Sequence, residues 1–177
     1  MTKYKNEFRV ESARLKDWDY STPWWYYVTV NTKDHYCWFG EVVNSKMILN
    51  ELGLVAENYW KEIPKHYPSV ELDYYVVMPN HLHGIIILNN AETCHGMSLQ
   101  QRERKFSAPI KNSLSMIINQ FKGAVKRWCN KNEFSAFAWQ PLFYDRIIRN
   151  EKELFNIRKY IEQNPLKWEL KKSTPEN

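Results

Sequence analysis

Cysteine is scarce in this 177-residue chain. The three residues Cys37, Cys94 and Cys129 are scattered, odd in number and form no Cys-x-x-Cys pair. That pattern excludes a disulfide framework and a zinc knuckle, and a reducing cytosol suits it best. Long apolar runs are missing too. No stretch approaches the roughly 20 residues of a membrane helix, and the charged N-terminal segment MTKYKNEFRVESARLKDWDY has no apolar centre of the kind a secretory signal needs. The expectation is a cytoplasmic protein. There is no internal repeat or low-complexity tract, so one domain is expected over 1–177, with a core of about 20–170.

Aromatic residues are plentiful, at 15% of the chain with eight Trp and eleven Tyr. Most of those rings, Trp24, Trp25, Trp139 and Trp168 among them, suit a core, though each could stack on an unpaired base. The 25 Lys and Arg outnumber the 20 Asp and Glu, a net charge of +5 that mildly favours a polyanionic partner.

Hydrophobic spacing gives the element order. WWYYVTVNT (24–32) has the composition of a strand, and HYCWFGEVV (35–43) is expected to return beside it as a hairpin. Between Met47 and Ile63 the apolar residues recur at threes and fours, predicting a helix that Pro64 ends. VELDYYVVM (70–78) and HLHGIIIL (81–88) form two strands joined by a tight turn at Pro79-Asn80. The second is apolar on both faces, as a central strand would be. Residues 89–110 are polar and aperiodic, predicting a surface loop. A strongly amphipathic helix spans Leu114–Trp128, a short strand lies near 142–148, and a last helix runs from Glu151 to a stop at Asn164-Pro165. With one hairpin strand set aside the order is β-α-β-β-α-β, the ferredoxin-like α+β pattern, followed by an extra helix.

Within that frame MPNHLHG (78–84) is unusual. His81 and His83 are two apart in a strand, so both imidazoles point the same way and could share a metal ion; they could equally be surface or core residues. Tyr160 and Asn164, four apart on the last helix, are neighbours that by themselves read as packing and a helix stop. Lys122 and Lys126 line up with Asn119 along one side of the 114–128 helix, which on local grounds is a solvated face.

Taken in order, PNHLHG before a short apolar strand, FKG (121–123) on a helix, WQPLFYDRIIRN and YIEQNPLKW make the chain resemble the REP-associated tyrosine transposases. These belong to the HUH single-strand DNA endonucleases. The resemblance spans about residues 20–170 and implies that His81 and His83 bind a divalent metal, Mg²⁺ or Mn²⁺, with Asn164 as third ligand and Tyr160 as nucleophile. Related insertion-sequence transposases have Gln where this chain has Asn164. It further implies single-stranded or hairpin DNA as substrate, nucleoid association, either a homodimer or a monomer, and backbone contacts from Lys122, Lys126, Arg127, Arg146, Arg149, Arg158 and Lys159. An autonomous transposase of the same chemistry, a nucleic-acid-binding module without catalysis and a metal-dependent hydrolase are the alternative readings.

Overall fold

The computed structural model describes residues 3–4, 7–8, 18–90 and 112–173. Most of the 89–110 loop, with Cys94 and His95, lies outside the described residues. Among the described residues there are eight strands: β1 (Lys3–Tyr4), β2 (Glu7–Phe8), β3 (Trp25–Asn31), β4 (Gly40–Val43), β5 (Lys46–Leu49), β6 (Val70–Met78), β7 (His81–Leu88) and β8 (Tyr144–Ile147). The helices are α1 (Glu51–Lys61), α2 (Ile63–His66), α3 (Leu114–Lys131), α4 (Glu151–Glu162) and α5 (Asn164–Ser173).

The central sheet is antiparallel and ordered β6-β7-β3-β8. Its two faces are covered differently. Val28, Val30, Leu82 and Ile86 point toward α1 and α3, meeting Leu52, Ala56 and Trp60 from one and Ile117, Phe121 and Val125 from the other in the larger core. The alternate residues Tyr27 and Ile85 point the other way and pack on Leu154, Ile157 and Ile161 of α4. This is the α+β class expected, and β7 is the interior, doubly buried strand that its composition demands.

Two expectations are overturned. β3 makes no hairpin with the residues that follow it; it pairs with β7 on one side and β8 on the other. The chain leaves the sheet at a single 3₁₀ turn, Lys33–His35, where Asp34 and His35 take positive φ of 53° and 54°. Thr32 is tied to Asn80, donating to its carbonyl from both backbone N–H and Oγ1 at 2.9 Å. β4 pairs instead with β5 across Asn44-Ser45, both with positive φ, as a two-residue turn whose twist matches its strands requires. The residues 47–49 assigned to the first helix are therefore strand, and α1 begins only after Asn50, whose Oδ1 accepts from Gly53 N–H at 2.9 Å.

The second correction concerns the C-terminus. Pro165 does not end a helix at Asn164; α4 stops one residue earlier at Gln163, and Asn164 opens α5. Proline is tolerated in a first helical turn, where its missing N–H costs nothing, so the pair that looks like a stop is a kink between two helices. Pro64 behaves alike, sitting at the start of α2. Among the described residues no helix is long and apolar enough to cross a membrane.

Candidate metal and tyrosine site

β7 places His81, His83 and Ile85 on the α4 face, and Asn150 fixes where α4 begins by accepting from Glu153 N–H at 2.9 Å. Counting along α4 from that cap, Tyr160 falls on the last turn and Asn164 just past the kink. The four side chains meet within this one chain. The Tyr160 ring lies 5.2 Å from the His83 ring and 6.4 Å from Tyr27. His81 and His83 are 4.5 Å apart between ring centroids, and the Asn164 side chain stands close enough to His81 to favour its charged form against the effect of burial.

Both imidazoles are held by Nδ1. His81 Nδ1 is 2.6 Å from Asn80 Oδ1; Asn80 is oriented by its own amide N–H₂, which donates to the His35 carbonyl at 3.0 Å. Because Oδ1 can only accept, His81 Nδ1 carries the proton and Nε2 keeps its lone pair. His83 Nδ1 lies 2.7 Å from the Tyr27 hydroxyl and 2.8 Å from Thr29 Oγ1. Burial pushes both imidazoles down, His81 to about 4 and His83 to about 3, so both are neutral at pH 7. The same burial raises the Tyr27 phenol.

Neutral imidazoles whose second nitrogen is already occupied, next to a buried amide, are a donor set that fits a divalent cation. His81, His83 and Asn164 could hold one. Among the described residues no three His, Cys, Asp or Glu gather, so an ion here would meet no carboxylate from such a cluster. Tyr160 is 40% exposed and therefore reachable by a large substrate. The Lys167 amine stands 5.0 Å above its ring, adding positive charge beside the phenol.

The basic residues divide. α3 lies on the opposite face of the sheet from the histidines, so Lys122, Lys126 and Arg127 are remote from Tyr160. Lys122 Nζ donates to the Gln140 and Leu142 carbonyls at 2.7 and 2.8 Å, and Lys126 Nζ to those of Ser135 and Phe137 at 2.9 and 2.6 Å. Their alignment stitches the 135–142 segment to α3. Arg146 pairs with Glu153 at 2.6 Å and Arg158 with Asp73 at 2.8 Å. Arg127, Arg149 and Lys159 are exposed. A cavity of about 840 Å³ lined by Trp24, Phe155, Arg149 and Arg158 opens at the start of α4, the end away from Tyr160.

Sequence reasoning missed Tyr27, Thr29 and Lys167 as neighbours of the site. Strand alternation puts Tyr27 and Thr29 on one face, but only the register opposing Thr29 to His83 makes them partners. Lys167 lies on α5, beyond the kink at Asn164-Pro165, so spacing along one continuous helix could not have placed it beside Tyr160.

No family model matches the chain. It is 37% identical over 160 residues, 89% of each chain, to an uncharacterised protein of Haemophilus influenzae. A solved structure of a REP-associated tyrosine transposase bound to a REP hairpin superposes with a TM-score of 0.60 at 19% identity, covering 90% of this chain and 74% of that one.

Proposed function

The chain belongs to one family with the Haemophilus protein and has the fold of a REP-associated tyrosine transposase, and from that premise we propose that it cuts and rejoins single-stranded DNA at hairpin-forming repeats through Tyr160. The observation that carries this reading is the meeting of Tyr160, from a separate helix, with His83 at 5.2 Å between rings, with His81 4.5 Å from His83 and the buried Asn164 side chain near His81. Packing alone gives no reason for a nucleophile, two neutral imidazoles and an amide to converge at one half-open position.

In this mechanism His81 and His83 would hold a divalent ion through imidazole nitrogen, and Asn164 through its amide oxygen. When bound, that ion offsets the negative charge developing on the phosphate and orients it. Tyr160 Oη attacks phosphorus in line, giving up its proton to the solvent that its half-exposed side chain meets as the new O–P bond forms. The bond to the departing 3′ oxygen breaks, that oxygen takes a proton, and DNA is left joined through its 5′ phosphate to the tyrosine. The phosphotyrosyl bond conserves the energy of the broken diester, so a 3′-OH attacking it restores a DNA strand without ATP. The Lys167 charge lies beside the Tyr160 ring, and exposed Arg149 and Lys159 are the more available of the basic side chains for backbone contact.

The test is incubation with Mn²⁺ and a labelled hairpin oligonucleotide carrying single-stranded flanks. A covalent protein–DNA adduct that survives denaturing electrophoresis and vanishes in Tyr160→Phe is expected. Cleavage without any adduct would replace this reading by metal-dependent hydrolysis.

A further inference from the structure

Two hydroxyl oxygens meet around one nitrogen of the site: Tyr27 Oη at 2.7 Å and Thr29 Oγ1 at 2.8 Å from His83 Nδ1, with Thr29 Oγ1 donating to Tyr27 Oη at 3.2 Å. Tyr27 and His83 are buried, and their rings stack at 5.6 Å with 26° between planes. β3 pairs Thr29 with His83 in register, and strand alternation brings Tyr27 to the same face. An imidazole nitrogen can make one such bond at a time, as donor or acceptor. Here two hydroxyls compete for it.

Counting protons shows what that redundancy does. With Nε2 protonated, Tyr27 donates to Nδ1 and Thr29 donates to Tyr27, so both hydroxyl protons have partners. A cation on Nε2 requires that nitrogen's lone pair, so the ring proton must sit on Nδ1. Nδ1 then donates to one of the two oxygens while the other stays within reach as an alternative acceptor, and the Tyr27 proton rotates away from Nδ1. The ring stays neutral, no net proton is released, and both ring states find hydrogen-bond partners without moving a heavy atom.

We propose that the Thr29 and Tyr27 hydroxyls are the paired acceptor that holds His83 in its Nδ1-protonated, cation-binding tautomer, which makes both of them positioning residues of the metal site. The inference deepens the proposed function and rests on its metal site. Hydroxyls differ in consequence from the carboxylate often found behind a metal-bound histidine. They orient the ring without adding negative charge, leaving the ion's full charge for the phosphate.

The experiment titrates Mn²⁺ into the full chain and reads the free-ion electron paramagnetic resonance signal, with thermal melts confirming that each variant is folded. The double variant Tyr27→Phe/Thr29→Val should bind Mn²⁺ roughly tenfold to a hundredfold more weakly. Thr29→Val alone should fall between it and wild type, and Thr29→Ser, which keeps the hydroxyl, should restore wild-type affinity. Adduct formation with hairpin DNA by the double variant should recover as Mn²⁺ is raised, which a general packing defect would not allow. A folded double variant with wild-type Mn²⁺ affinity would overturn the proposal, as would adduct loss that no Mn²⁺ concentration repairs. If wild type forms no adduct while the affinity order holds, only the DNA-joining reading falls.

Discussion

Gly84, the residue after His83, is the position where packing and the site are most tightly joined. A Cβ built there lies 2.3 Å from Trp60 Cζ2, 3.0 Å from Cε2 and 3.1 Å from Cη2, against ordinary contacts of 3.4 Å or more. The indole would have to retreat by at least 1.1 Å (3.4 minus 2.3). It has nowhere to go, being fully buried with the Phe121 ring edge-on at 5.3 Å behind it. Overpacking of this kind costs about 1–3 kcal/mol, while the stiffer unfolded chain of an alanine variant gives back about 0.4–1 kcal/mol. Gly84→Ala should thus lose about 1–2 kcal/mol, a fall in Tm of about 2–8 °C for a chain of this size. The measurement is a thermal melt followed by circular dichroism, repeated in a Trp60→Phe background where the smaller ring leaves room. There the alanine should cost under about 0.5 kcal/mol, giving a coupling that a double-mutant cycle resolves. An unchanged Tm in Gly84→Ala, or an equal loss in both backgrounds, would refute the steric argument.

Tyr160→Phe should melt within about 0.5 kcal/mol of wild type, because the residue is half-exposed, so adduct loss in that variant can be assigned to chemistry. Lys122→Met removes two solvent-exposed bonds to backbone carbonyls and should cost about 0.5–1.5 kcal/mol by urea denaturation. It should leave the salt dependence of hairpin binding unaltered, whereas Lys159→Ala, if that amine meets a phosphate, should lower the log–log slope by about 0.7–0.9. Asn150→Ala removes the cap of the tyrosine helix and should lower the urea midpoint by the equivalent of about 1 kcal/mol. The folded pKa values of His81 and His83, about 4 and about 3, lie below the ordinary 6.5. The stability they contribute is fully present above pH 6.5 and is lost as acid takes the metal-free protein down toward pH 4, since the unfolded chain binds those protons first. Urea midpoints should fall over that window, and by less in His83→Gln.

Elements and faces were legible because they follow from spacing along the chain. β6 and β7 appear with the bounds read from their alternation, Ile85 continues the histidine face, and α3 begins where Leu114 starts its apolar stripe. The tight turn at Pro79-Asn80 was equally plain. Partners were not legible, because pairing is decided by residues far apart in sequence. WWYYVTVNT has the composition of a strand, but nothing in it says that its neighbours are β7 and β8 instead of the segment that follows. Asn164-Pro165 illustrates the same limit at shorter range, since a proline that cannot continue one helix can begin the next.

The sequence by itself determined which chemistry the chain could offer: two imidazoles on one strand face, and a tyrosine and an amide one helical turn apart. Only the tertiary structure decided that they meet, by folding α4 onto the face of the sheet that carries His81 and His83. It also decided that Thr29 and Tyr27 stand behind His83 and that Lys122 and Lys126 are spent on backbone carbonyls. The physical reason is that face and period are local properties of the backbone, whereas a hydrogen-bond partner is whichever group the sheet register and the packed core bring within 3 Å.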